Sequence, residues 1–332
     1  MEFYFHFIIF CIILFLYIHI IHQYKRSEDL EIYEMDYTSN SHLQEVCDIK
    51  QPILFEYKSI NPKFYETITY DDLLNDKFSN YDIRVKETED YYNSDNSVDY
   101  VVLSYSSGTN LMKSDPKSAY FTENNEDFIE ESGLKKIWES NDENLKPNFS
   151  VQTKYDIMLG SRNSFTPLRY HTNFRHYLSV HSGKIHVKMT PWKSTKYLYQ
   201  IKDFETYEFR SPINVWKPQD KYRHEMNKIK FLEFDVIPGF VLSIPPYWWY
   251  SIQFDKGDDT LVSVFTYNTV MNTISNLPYF TKYYIQQNNI KKRIAKVISF
   301  DESSSESSSS SKNNNEKKDT IVVDMVSKNE PF

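Results

Sequence analysis

The chain has 332 residues, enough for one substantial domain with extensions, and carries a formal charge of −8 with a pI near 5.7. That charge argues against a sequence-independent DNA or RNA binder, and no basic and aromatic residues interleave to stack bases, so no nucleic-acid partner is expected. Cys11 and Cys47 are the only cysteines, which excludes a disulfide framework.

Residues 3–21, FYFHFIIFCIILFLYIHII, contain no formal charge. As a helix they rise about 28 Å, close to the roughly 30 Å hydrocarbon layer of a bilayer. Glu2 precedes the run, and Ile20, Ile21 and His22 close it, unlike the cationic start and small-residue end of a cleaved signal peptide. An uncleaved anchor over residues 1–26 is therefore expected, with a buried core helix as the alternative. Lys25 and Arg26 follow the span directly, so the positive-inside rule places the C-terminal part in the cytosol.

Residues 27–40 read as an acidic linker. Residues 43–57 read as a short helix leading into an extended segment, and residues 88–99 as an acidic loop between strands at 81–85 and 100–104. Residues 126–138 place Phe128, Ile129, Leu134 and Ile137 at helical spacing. Asn148-Phe149-Ser150 matches the glycosylation acceptor pattern.

The most informative stretch runs from Thr166 to Tyr250. In KIHVKM, Lys184, His186 and Lys188 alternate with Ile185, Val187 and Met189, as a half-buried strand requires. Phe234 and Val236, a Pro238-Gly239 turn, residues 241–244 and a Pro245-Pro246 break precede Trp248 and Trp249, and residues 260–267 have strand composition. Short strands separated by Pro/Gly turns, without a long helical pattern between them, predict antiparallel sheets closed into a barrel or sandwich.

TPLRYH from Thr166, Ser182-Gly183-Lys184, Met189-Thr190-Pro191 and Pro245-x-x-Trp248-Trp249-Tyr250 resemble the cupin-like branch of the JmjC-domain oxygenases, the branch of the asparaginyl hydroxylase of hypoxia-inducible factor. The resemblance covers residues 41–275. It implies a mainly β fold, a double-stranded β-helix (cupin or jelly roll) with flanking helices, and a chemistry that uses iron(II) and 2-oxoglutarate. The family's His, Asp and His iron ligands fall on Arg169, His171 and Tyr250. All three differ. Arg169 has no acceptor lone pair and a permanent charge, so it cannot hold a cation, and the 2-His-1-carboxylate set is lost. No catalytic residue, no metal and no cofactor is expected on that reading; iron(II) and 2-oxoglutarate remain the alternative.

Thr166 and Lys184 match the family's grip on the distal carboxylate of 2-oxoglutarate, a vestigial cofactor site. Arg169 either joins Lys184 in an anion pocket or pairs with an internal carboxylate such as Glu233 or Asp235 and plugs the cavity. His171, His176, His181 and His186 recur at a spacing of five, which puts successive members on opposite faces of a regular strand unless a turn intervenes.

Residues 276–300 read as an amphipathic C-terminal helix, with residues 277–300 a domain brace or homodimer contact. Residues 301–332 read as a disordered Ser/Asn-rich acidic tail, in which Ser303 and Glu306 have the spacing of an acidophilic kinase site and the final TIVVDMV run could add a strand to a partner or fold back on the barrel. Three functions follow: a membrane-anchored, catalytically degenerate JmjC-like binding or scaffold module; an iron(II)/2-oxoglutarate-dependent protein hydroxylase or demethylase with a rearranged site; and a non-catalytic dicarboxylate receptor. A membrane through residues 3–21, a protein partner and a small dicarboxylate are the expected partners. The Lys-, Asn-, Tyr- and Ile-rich composition also resembles that of proteins from giant DNA viruses, which would place the chain in a host-cell or virion membrane.

Overall fold

The computed structural model describes residues 2–73, 75–93 and 98–288. It begins with a 22-residue helix, Glu2–Gln23, most of whose side chains are exposed, Phe3 at 76% and Ile12 at 53% among them, while Gln23 at its end is buried. His6 and His19 fold their Nδ1 atoms back onto the carbonyls of Glu2 and Phe15 at 2.6 and 2.8 Å, so each ring keeps a hydrogen bond within the helix.

The strands follow as β1 (Tyr33–Met35), β2 (Ile53–Glu56), β3 (Asp82–Glu87), β4 (Val101–Ser104), β5 (Tyr120–Thr122), β6 (Ser150–Gly160), β7 (Arg169–Tyr170) and β8 (Arg175–Ser182). They continue as β9 (Ile185–Thr190), β10 (Ile201–Asp203), β11 (Glu208–Arg210), β12 (Leu232–Val236), β13 (Phe240–Ser243), β14 (Trp249–Phe254) and β15 (Leu261–Thr269). They form a nine-stranded sheet, β1-β2-β13-β8-β15-β6-β5-β3-β4, and a six-stranded sheet, β10-β11-β7-β14-β9-β12.

Both sheets are open, and the chain is mixed α/β with 36% helix and 28% strand. This overturns the mainly β, closed double-stranded β-helix and with it the likeness to the cupin-like JmjC family. The physical reason lies largely upstream of the motif-bearing stretch. Residues 40–145 supply a layer of short helices over the outer face of the large sheet, and that layer takes the place of solvent or of a second sheet.

Strand side chains sort cleanly between layers. On β6, Ile157 and Leu159 join Phe265 and Trp138 under the helices, whereas Met158 faces the small sheet with Leu178, Val180 and Val264. The alternation seen in KIHVKM holds: Ile185, Val187 and Met189 are buried between the sheets while His186 and Lys188 are half exposed. A third cluster covers the outer face of the small sheet, where Tyr170, Phe209 and Trp249 meet Trp192, Tyr247 and Tyr279. Trp248 and Trp249 thus point opposite ways, and both are buried, Trp249 donating its indole N–H to Thr195 Oγ1 at 2.8 Å.

Several local expectations shift by a few residues. The helix expected at 126–138 is two, Glu126–Glu131 and Lys135–Glu139, because Gly133 sits at φ +75° and ends the first, a conformation glycine adopts without steric cost. The helix near residue 43 starts at Asn40, where Ser39 accepts a hydrogen bond from the His42 backbone N–H. The 27–40 segment contains β1, and a turn of helix, Asp90–Asn93, lies in the acidic loop between β3 and β4. The C-terminal helix is seen over Leu277–Gln287 and packs Tyr279, Phe280 and Tyr283 against Phe204, Tyr207 and Phe209. Its expected continuation to residue 300, and the tail 301–332 with its kinase-like spacing, lie outside the described residues.

Candidate functional site

The inner faces of the two sheets are apolar except at one place. There, alternation turns Arg169 of β7 inward while its neighbour Tyr170 joins the outer aromatic cluster, and Tyr250 stands directly opposite Arg169 on β14. Lys86 of β3 enters the same space because Val85, one residue earlier, faces the helical layer.

These cations meet two carboxylates. Arg169 forks onto Glu123, one arm at 2.7 Å and the second arm also in contact, and reaches Glu208 at 3.1 Å. Lys86 Nζ donates to the same Glu123 oxygen at 2.9 Å. Two parallel N–H bonds to one carboxylate are the geometry in which a guanidinium binds most strongly. The set of Lys86, Arg169, Glu123 and Glu208 sums to zero charge. Glu123 is 3% exposed and Lys86 5%.

The titration of these groups follows from that pairing. Burial works to raise the Glu123 carboxyl, but Arg169 and Lys86 overcome it and hold the group well below the usual carboxylate range. Burial would likewise lower Lys86 and Arg169, and Glu123 reverses the sign for both. For Tyr250, burial outweighs the nearby Arg169 charge and raises the phenol, so it stays protonated at neutral pH.

The turn between β7 and β8 brings His171 and His176 together with ring centroids 4.6 Å apart, which a single regular strand would forbid. His176 Nδ1 lies 2.9 Å from Thr266 Oγ1. Both His171 nitrogens are shut from solvent, and among the described residues neither has a partner at hydrogen-bond geometry. Burial, and then the positive charge of Arg169, push His176 down to about 3. Burial and the neighbouring His176 lower His171 well below its ordinary value. Both residues keep part of their surface exposed, and the pair is neutral in the folded protein.

The other expected residues go elsewhere. Thr166 is fully buried, and its hydroxyl accepts from the Ile252 backbone N–H at 3.0 Å while its carbonyl accepts from Ser251 Oγ at 2.6 Å, which joins its segment to β14. Lys184 is 37% exposed at the sheet rim and pairs with Asp235 at 3.1 Å. The two do not converge on a common ligand space. Glu233 pairs with Lys188 at 3.2 Å, so neither suggested carboxylate partners Arg169.

No family model and no curated protein matches the chain.

Arg169, His171 and Tyr250 are neighbours, but among the described residues no group of three His, Cys, Asp or Glu side chains could hold a metal ion. Without the closed barrel or such a cluster, neither the JmjC-like scaffold nor the hydroxylase or demethylase stands. The dicarboxylate receptor loses its basis too, since Lys184 is spent at the rim and Arg169 on two internal carboxylates.

The ion network escaped the sequence because its members come from distant segments. Lys86 alternates with Val85 just as a solvent-facing lysine would, and Glu123 stands in a polar stretch, TENNED, that reads as a surface turn.

A second assembly was equally invisible. Below the N-terminal helix, the Arg26 guanidinium sits in the corner formed by the nearly perpendicular rings of Trp192 and Tyr247, 4.1 and 4.3 Å from their centres. Tyr24 donates its hydroxyl to the Ser275 carbonyl. Lys193 donates through its backbone N–H to Glu28 at 3.0 Å and through Nζ to the Glu28 carbonyl at 2.6 Å. Tyr247 presents its ring from a backbone at φ +66°, a left-handed conformation that is uncommon for an aromatic residue and persists only where its surroundings enforce it.

Proposed function

We infer that the protein is a single-pass membrane protein whose folded domain is held at a fixed attitude on the cytosolic face of the bilayer by a joint at the base of its anchor. The observation that carries this reading is the pairing of a largely exposed apolar helix, Glu2–Gln23, with an ordered dock immediately after it. Twenty-two helical residues rise about 33 Å, sufficient for the hydrocarbon layer. A tether meant only to retain a domain needs no contacts at its exit; here Tyr24, Arg26 and Glu28 all bind the outer cover of the small sheet. A guanidinium over an aromatic face contributes about 0.5–2 kcal/mol per ring, the larger figure where water is excluded.

Lys25 and Arg26 at the end of the span support the cytosolic side. The domain carries its own topology reporter, since Asn148 is exposed and precedes Phe149 and Ser150. Carbonate extraction of membranes from cells expressing the full chain should leave it in the pellet, and a form lacking residues 1–26 should be released. Recovery of the full chain in the carbonate supernatant would remove the membrane reading. A glycan at Asn148 would instead reverse the orientation.

A further inference from the structure

The two sheets leave a mouth open on the side where β1 edges the large sheet and β12 edges the small one. A groove of about 490 Å³ enters there. Its floor is apolar: Leu54, Ile237 and Phe240 continue the inter-sheet core outward, and Ile237 is 50% exposed. Its rim is acidic, with Glu34 and Asp36 from the β1 segment, Glu56 from β2 and Asp235 from β12. Lys184 and His186 face Asp235, whereas Glu56 accepts only from Ser59, so the rim keeps an excess of negative charge.

The edge itself is unpaired among the described residues. β1 runs parallel to β2, with Tyr33 donating its N–H to the Pro52 carbonyl at 2.8 Å. In a parallel ladder alternate residues face the partner, so Glu34 turns its backbone N–H and C=O to the open side. An extended chain laid there would gain those bonds and drop every second side chain into the groove.

The protein's own sequence contains one segment of that chemistry. Lys317 and Lys318 precede Thr320-Ile321-Val322-Val323-Asp324-Met325, a sequence in which an extended backbone would put Ile321, Val323 and Met325 on one face. Residues 289–316 intervene, and about 28 residues reach up to about 90 Å when extended, enough to bring the segment to any face of the domain. We propose that the groove between β1 and β12 is the binding site for the segment 317–326 of the same chain, which adds along β1 with Ile321 and Val323 in the groove and its lysines against Glu34 and Asp36.

Hydrogen exchange of the full-length protein in lipid nanodiscs tests this directly. Amides 320–325 should exchange about tenfold or more slower than in the isolated peptide. Glu34→Lys with Asp36→Lys, both at exposed positions, should abolish that protection, and adding Lys317→Glu with Lys318→Glu should restore it. Exchange at the free-peptide rate in the unaltered protein overturns the proposal. So does protection that ignores the charge reversal, which would place the segment elsewhere, or protection that disappears on dilution, which would assign it to a second copy.

Discussion

Replacing Arg169 with methionine should be among the most damaging single changes in the domain, and its size follows from what it leaves behind. Glu123, 3% exposed, would keep only Lys86 at 2.9 Å, and Glu208 would keep only the Tyr91 hydroxyl at 3.5 Å. The remaining members of the centre would then be two carboxylates against one ammonium, beside the separately paired Arg210 and Asp203. Breaking a buried pair by removing one partner costs about 3–5 kcal/mol, a large part of the roughly 5–15 kcal/mol that holds a domain together. Glu123→Gln should cost a similar amount for the opposite reason, since Lys86 and Arg169 would share Glu208 alone. Combining the two restores a neutral interior of Lys86 and Glu208, so the double variant should be more stable than the sum of the singles predicts by about 2–3 kcal/mol. Urea unfolding followed by tryptophan fluorescence reads the domain selectively, because the five tryptophans are at 138, 192, 216, 248 and 249 and none is in the N-terminal helix. Single variants within about 1 kcal/mol of the parent, or a strictly additive double, would refute the account of this centre as a mutually dependent ion network.

Acid should destabilise the domain in a defined window. His176 and His181 have folded values of about 3 against an ordinary value near 6.5, so their contribution is complete above pH 6.5 and is lost progressively as the pH falls towards 3. His176→Gln should flatten the pH dependence of the urea midpoint between 6.5 and 4; an unchanged slope would mean the ring is not held neutral. Gly160→Ala should cost about 1–3 kcal/mol in the same assay, because a Cβ there would come within 2.3 Å of Phe254 Cδ2, and a neutral result would show that the ring moves freely. Trp192→Ala should loosen the dock without unfolding the domain, raising trypsin cleavage after Arg26 several-fold at an unchanged urea midpoint; equal cleavage rates would show that the stacked guanidinium contributes nothing to order there.

What could be read from the sequence was whatever repeats within a few residues. KIHVKM shows its strand because sheet geometry imposes a period of two, and the uncharged run from Phe3 shows its helix because it is long, apolar and free of turn residues. Closure of the sheets was not legible. It depends on whether β12 and β1 find partners, and the short motifs around Arg169 and Trp248 are compatible with a closed or an open arrangement. The ion centre was half legible: Arg169 stood out as a charge in an apolar frame, but Glu123 is 46 residues away and Lys86 farther still. Pairing at that range is fixed by the register of β5 on β6 and of β7 on β14, information that no local pattern carries. The turn that unites His171 with His176 was foreseen only as the condition under which the pair could meet.

If the N-terminal helix spans a bilayer as proposed, the dock beneath it makes the bilayer mechanically legible to the domain. A loosely tethered domain would ignore the posture of its helix, but here the stacked Arg26 and the Tyr24 to Ser275 bond couple the two as a crank couples to its shaft. A span of about 33 Å in a hydrocarbon layer of about 27 Å, the thickness found in thinner cellular membranes, relieves its mismatch by tilting. With the joint intact, that tilt is delivered to the sheets. On the proposed topology, membrane thickness would thereby set which face of the domain is presented to the cytosol.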